Sequence, residues 1–190
     1  MARASLKEQL VDRSAAVFLE RGFNAASVND IVQAAGVPKG SFYNHFVSKE
    51  ALAIEVLRRY VDDLGLRELA EPAGSPLEQL RAHLKTNIEA RNAAGIEYGC
   101  LLGNLSTDAV ALNEGLREAV TQGFSRWFDA VASAIGRAQA AGEIATDADP
   151  ETLARYIVAS FEGAIAQAKT LRSGEPIDDF LAVTFDTVLH

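Results

Sequence analysis

One stretch decides the fold: Ser27-Val-Asn-Asp-Ile-Val-Gln-Ala-Ala-Gly36-Val-Pro-Lys-Gly-Ser-Phe-Tyr-Asn-His-Phe-Val-Ser-Lys49. Ser27 is placed to cap a short helix whose inward face is Val28, Ile31 and Val32, and Gly36 closes it. Ala34 and Ala35 are small enough for a second helix to approach closely, and Val37 fills the space between them. Pro38 sets the start of that second, very short helix, which runs through Phe42 and Phe46. Two short helices meeting at a tight glycine turn form a helix-turn-helix, whose second helix offers its N-terminal residues to base edges in the DNA major groove.

Outward from this motif the helical period dominates. Upstream, Leu6, Leu10, Ser14, Val17, Phe18 and Arg21 predict a helix stopped at Gly22. Downstream, Ser48 caps a long helix assigned to residues 49–66, carrying Leu52, Ile54, Val56, Leu57, Val61 and Leu64. The stretch Glu71-Pro-Ala-Gly-Ser-Pro76 is a connector ending in a start signal: Ser75 as cap, Pro76 at the first helical position and Glu78 three after the cap. The helix it opens runs through Leu80, Leu84 and Ile88. A Gly-punctuated segment, Gly95 to Gly103, precedes a short helix near 104–111 and a long one over about 113–141. Asp149-Pro150 opens a helix through Leu153, Ile157, Phe161, Ile165 and Ala168. Pro176 opens the last helix. Nine helices without βαβ alternation predict an all-α fold, with a three-helix domain over 1–48 and a second domain over 49–190 that begins with the connecting helix.

Composition narrows the function classes. The 190 residues are 48% hydrophobic, an ordinary globular balance. No apolar run approaches the ~18–20 residues that cross a bilayer, so no membrane partner is expected. The first ten residues are charged and amphipathic, with no secretory core. The single cysteine cannot form an internal disulfide, which makes the cytoplasm the expected address. Net charge is −8, divided as +1 over residues 1–50 and −9 over the remainder, so charge alone does not point to nucleic acid. An acidic balance repels DNA only over about a Debye length, roughly 8–10 Å, which leaves room for a local contact surface. The three histidines are His45, His83 and His190, and HExxH, CxxC and GxxxxGK[ST] are all absent. No cofactor or metal is expected. Two alternatives to DNA binding stay open: a small cysteine-dependent enzyme using Cys100 with His83, and a helical interaction protein without DNA function.

The segment Lys39-Gly-Ser-Phe-Tyr-Asn-His-Phe-Val-Ser-Lys-Glu-Ala-Leu52 resembles the TetR family signature, in which Tyr-x-His-Phe-x-x-Lys closes the recognition helix. Gly22-Phe23 followed by Ser27-Val28 also looks like that family, which more often has Thr at the capping position. The likeness is close over residues 6–55 and beyond them rests on helix count. It implies a dimeric, ligand-responsive regulator, by default a repressor, that holds a pseudo-palindromic double-stranded DNA operator and is released by a small-molecule inducer. By position, Lys39, Ser41, Tyr43 and Asn44 would face the groove, and the Gly40 amide would meet phosphate. Ser27, His45 and Lys49 would hold the DNA backbone, fixing register rather than sequence. Asn44 stands where the family often has an aromatic residue. The last two helices, about 150–172 and 176–189, would pair with their copies in a homodimer, with Phe161 central in the pairing stripe.

Gly99-Cys-Leu-Leu-Gly-Asn104, followed by Trp127-Phe128, resembles one branch of that family, whose members answer to electrophiles, unsaturated acids or aldehydes. The resemblance implies Cys100 and Trp127 as ligand- or redox-sensing residues, and Lys169, an unusual basic residue beside Ala166, Ala168 and Leu171, is the candidate cation to go with them. Cys100 is otherwise an inert small hydrophobe, and Lys169 either points at it or snorkels to solvent.

Overall fold

Short capping side chains set most of the helix starts. The Ser5 hydroxyl accepts from the Glu8 amide and the Glu8 carboxylate accepts from the Ser5 amide, which opens α1 (Leu6–Arg21). Ser27 and Asp30 repeat that reciprocal arrangement at α2 (Val28–Ala35), and left-handed Gly36 (φ 65°) ends it. The turn leads to α3 (Lys39–His45), and Ser48 caps α4 (Lys49–Asp62). After the short α5 (Leu66–Ala70), Ser75 caps α6 (Pro76–Ala94), with its hydroxyl accepting from the Glu78 amide and Pro76 in the first turn. The chain continues through α7 (Leu101–Asp108) and α8 (Glu114–Ala140). Asp149 caps α9 (Pro150–Leu171), and α10 (Glu175–Val183) passes into a single π-helical turn, Thr184–Val188. This computed structural model describes residues 5–109, 111 and 113–190. The fold is all-helical among them.

The described helices number ten rather than nine, because the helix expected over 49–66 breaks. Asp62 and Asp63 place two carboxylates at a helix C-terminus, where the macrodipole disfavours them. Gly65 then takes φ 73°, a conformation that ends one helix and restarts another as α5. The short helix expected near 104–111 starts earlier, at Leu101, because Leu101, Leu102 and Leu105 are all buried. Val110, within that expected span, and Met1–Ala4, part of the N-terminal reading, lie outside the described residues.

Two compact units divide the chain. The first takes residues up to Asp63 together with Leu101–Gly123. Phe18, Leu10, Ile31, Phe42, Leu52 and Leu57 form its centre. Here α7 packs on α1 and α4, and the Asn24 side chain donates to the Asp108 carbonyl at 2.7 Å. Gly123 admits a close approach, since a Cβ there would stand 3.0 Å from Leu102 and 3.2 Å from Val61. A helix-turn-helix that short buries little surface alone, and α7 with the start of α8 completes its core.

The second unit takes Leu64–Cys100 and Phe124–His190. Trp127 is fully buried at its centre, edge-on to Phe161 at 5.4 Å, and Phe161 is edge-on to Phe180 at 5.6 Å. This corrects one expectation. The stripe Leu153, Ile157, Phe161, Ile165 and Ala168 is buried within a single copy of the chain, so Phe161 is monomer core and not a pairing residue. The open face of α9 is a different one, carrying Tyr156, Gly163, Gln167 and Leu171. With Pro176 and Val183 of the next helix it borders a shallow depression of about 390 Å³.

Candidate nucleic-acid interface and effector core

In α3 the positions four apart sort the side chains. Phe42 is fully buried and tilted against Phe46 at 6.0 Å, which pins the helix to the first unit's core. Lys39, Gly40, Tyr43, Asn44 and His45 are exposed on the other side, and Ser41 is half-buried. Tyr43 stands 59% exposed with its ring edge-on to Phe42 at 5.1 Å. A Cβ at Gly40 would meet nothing within 4 Å, so the backbone there is open to an approaching surface. Val47, which sequence reasoning gave no role, is 90% exposed in the turn after α3. A lone valine between two polar helices carries no periodic signal that would have singled it out.

Ser27 and Lys49 each carry several bonds within the protein. The Ser27 amide and hydroxyl both donate to Asp30 Oδ2, at 2.9 and 2.6 Å, while its oxygen accepts from the Asp30 amide at 3.1 Å. Those bonds, with Arg21 3.0 Å away, hold the Asp30 carboxyl below its ordinary pKa. Lys49 Nζ donates to the carbonyls of Phe23 at 2.6 Å, Ala26 at 2.8 Å and Asn24 at 3.5 Å, and lies 4.3 Å from the centre of the Phe23 ring. Burial pulls its pKa below the usual lysine value. An ammonium has three donors, and all three point at the α1–α2 loop. Ser27 thus caps α2 and Lys49 staples its approach loop, while Ser27 is exposed and Lys49 half-buried at the surface.

The second unit holds a connected row of buried polar groups. Arg91 donates from Nη1 to the Asn87 carbonyl at 2.6 Å and from Nη2 to Cys100 Sγ at 3.3 Å, with its guanidinium 5.0 Å from the Phe161 ring centre. Glu162 approaches the same sulfur. Burial pushes its carboxyl above the ordinary pKa, against the pull of the Cys100 thiol and the Arg91 charge. Its Oε1 is buried with no hydrogen-bond partner among the described residues. Trp127 Nε1 donates to His83 Nε2 at 3.0 Å. The basic group set against Cys100 is thus Arg91. Lys169 is half-buried about two turns along α9 from Glu162. Arg91 and Glu162 were missed from sequence, yet Arg91 had a signal: Leu80, Leu84 and Ile88 run in steps of four, and Arg91 extends that stripe by three. Cys100 meets Arg91 and Glu162, while the Nε2 of His83 is taken by Trp127, an arrangement unlike a thiol–imidazole nucleophile pair. No group of three or more metal-ligating side chains occurs among the described residues. Nor is any helix among them long and apolar enough to cross a membrane.

Both halves of the chain match known families. A family profile described as bacterial regulatory proteins, tetR family, matches residues 10–56, and one described as tetracyclin repressor-like, C-terminal domain, matches residues 76–184. The chain is 38% identical to the HTH-type transcriptional repressor DhaR of Mycobacterium sp. strain GP1, over 100% of this chain and 95% of that one. It is 29% identical to the HTH-type transcriptional repressor NemR of Escherichia coli K12, over 93% and 90%. Among solved structures, a regulatory protein TetR from Rhodobacter sphaeroides superposes with a TM-score of 0.86 at 32% identity, over 95% and 97% of the two chains. The reduced form of E. coli NemR superposes with a TM-score of 0.83 at 27% identity, over 97% of each.

Proposed function

This chain belongs to the TetR family of bacterial regulatory proteins, and from that membership we propose that it is a ligand-responsive transcriptional repressor whose α3 reads operator DNA from each half of a dimer. The observation that carries the reading is the division of α3 itself. Phe42 and Phe46 anchor one side in the core, leaving Lys39, Gly40, Tyr43, Asn44 and His45 as an exposed strip of groove-sized polar and aromatic groups. Such a strip supports base-edge contact, with Ser41 at its margin. The partners are a pseudo-palindromic double-stranded operator, a second copy of the chain and a small-molecule inducer. The outward face of α9 around Gly163, with Val183 beside it, is the surface suited to a second copy, because small residues let helices approach closely.

The inducer acts on the second unit, and Cys100 is the candidate sensor. Its sulfur accepts from the Arg91 guanidinium at 3.3 Å, a basic neighbour of the kind that accompanies reactive cysteines. A redox-responsive thiol also accords with a relative crystallised in a reduced form. An adduct on Cys100 adds volume to a packed core, which shifts between discrete arrangements rather than yielding continuously. Trp127 belongs to that core, and Lys169 is the next cation along α9. The test is a mobility-shift titration on the chain's own promoter, with and without an enal. Wild type should bind and be released. Tyr43→Ala should bind at least tenfold more weakly, and Cys100→Ser should bind but resist release. Unchanged binding by Tyr43→Ala removes the α3 reading. Equal release of wild type and Cys100→Ser removes the thiol and leaves a non-covalent inducer.

A further inference from the structure

A groove of about 340 Å³ lies beside α5 and α6, with Leu64, Leu69, Ala82, Thr86 and His83 in its wall. Its chemistry follows from the proton on His83. The ring is buried, only 8% exposed. An indole nitrogen donates and never accepts, so the 3.0 Å contact from Trp127 Nε1 makes His83 Nε2 the acceptor. Burial, and then the Arg91 charge, pull the imidazole pKa down to about 4, so the ring is neutral at physiological pH. A neutral imidazole accepting at Nε2 carries its hydrogen on Nδ1.

That Nδ1–H finds no acceptor among the described residues. The Asn87 side-chain nitrogen stands 3.5 Å from it and equally far from Nε2. Its identity is set by two carbonyl oxygens, Leu64 at 3.2 Å and His83 at 2.9 Å, both of which require a donor. The nitrogen beside Nδ1 is therefore a donor like itself, and His83 is one of the residues that line the groove.

We propose that this groove is a binding site for a small neutral carbonyl compound, an amide, lactam or ketone, whose oxygen accepts from His83 Nδ1–H. The lining excludes the charged classes. An anion would find no lysine or arginine in the wall and would meet the Glu68 carboxylate there. An ammonium ion could pair with Glu68 but brings only donors and would leave the His83 Nδ1–H unmet. Leu64, Leu69 and Ala82 suit an aliphatic body, and the Thr86 hydroxyl offers a second polar contact. The space equals that of roughly ten water molecules at their share of about 30 Å³ each, enough for a six- or seven-membered ring. Occupancy is felt at Trp127, because accepting a bond at Nδ1–H strengthens Nε2 as the acceptor of the indole proton. The proposal supplies a ligand class for the ligand-responsive reading above and rests on that reading for its regulatory consequence only.

Trp127 is the single tryptophan of the chain, so its emission reports the site without DNA. The full-length protein is titrated with ε-caprolactam and cyclohexanone, and with cyclohexanecarboxylate and cyclohexylammonium as charged counterparts of similar shape. The neutral pair should give a saturable emission change with affinity at least tenfold tighter than the charged pair. Ala82→Phe, a change at an exposed position in the groove wall, should abolish the response while leaving the melting temperature unchanged. Nitrogen-15 spectra should show His83 as the Nδ1–H tautomer. No saturable change with either neutral probe, a response retained in Ala82→Phe, or the opposite tautomer overturns the proposal. Each of these outcomes leaves operator binding by α3 intact. Conversely, operator binding that survives Tyr43→Ala unchanged removes the repressor reading without touching the groove.

Discussion

Single residues here do work that their type alone does not announce. Lys49 carries a family-signature position, yet its ammonium holds three loop carbonyls together. Lys49→Ala should lower the stability of the first unit by about 2 kcal/mol, as expected for losing charged hydrogen bonds that leave carbonyls unmet. Urea unfolding reads this directly. A loss of operator affinity in protein that remains folded would show that Lys49 also meets the DNA backbone, and unchanged affinity would confine it to the loop. His83 makes a prediction with a definite sign. Its native pKa of about 4 lies below the ordinary 6.5, so the unfolded chain takes up the proton first as pH falls. Stability from this group is intact above pH 6.5 and is lost progressively down to about pH 4, a change of roughly 3 kcal/mol. His83→Gln should flatten that stretch of the stability–pH curve relative to wild type, while the carboxylate titrations stay common to both proteins. Glu162 carries the opposite sign. Its raised pKa favours the native state while the carboxyl is protonated, and that advantage fades as pH rises. Glu162→Gln should therefore gain on wild type in thermal melts as pH increases.

At the scale of elements, the two faces of α9 have different fates, and substitutions can tell them apart. Phe161, 1% exposed between Trp127 and Phe180, belongs to one copy's own core. Phe161→Asp would bury a lone charge at several kcal/mol and should give unfolded or insoluble protein. Gly163 faces outward, and a Cβ at that position would meet nothing within 4 Å. Gly163→Glu should therefore leave a helical, cooperatively melting monomer in sedimentation, with operator affinity falling because two half-sites are no longer linked. A dimer that persists in Gly163→Glu would move the pairing surface elsewhere. Helix starts were legible in advance: Ser27, Ser48, Ser75-Pro76 and Asp149-Pro150 all cap where expected. These signals are local, since a hydroxyl or carboxylate meets an amide three residues ahead whatever the rest of the chain does. The break at Gly65 was less legible, because the apolar period runs on through Leu64 and Leu66 and conceals it.

At the scale of the molecule, the acidic balance makes DNA binding depend on a few local cations. Among the basic residues of the first unit, Lys7 pairs with Glu55, Arg21 with Asp30 and Arg59 with Asp12, while Lys49 is held by carbonyls. Lys39 stands exposed on α3. Removing it with Lys39→Ala takes a charge from each copy of a dimer, so the slope of log affinity against log salt should fall by about two units. Titrations between low and physiological salt measure it, and an unchanged slope would show that Lys39 meets no phosphate.

Helical class, helix starts and the exposed strip of α3 were written in the sequence, because each depends on residues within a turn or two of one another. Period and capping carry that information, and the strip follows once Phe42 and Phe46 are recognised as its buried counterpart. Tertiary structure decided everything that joins distant segments. It gave α7 and the start of α8 to the first unit, turned Lys49 onto carbonyls more than twenty residues upstream, and placed Arg91 and Glu162 against Cys100. It also decided which of two apolar-looking faces of α9 is core. Both faces carry side chains at helical spacing, and only the packing of Trp127 and Phe180 around Phe161 settles which one water never reaches.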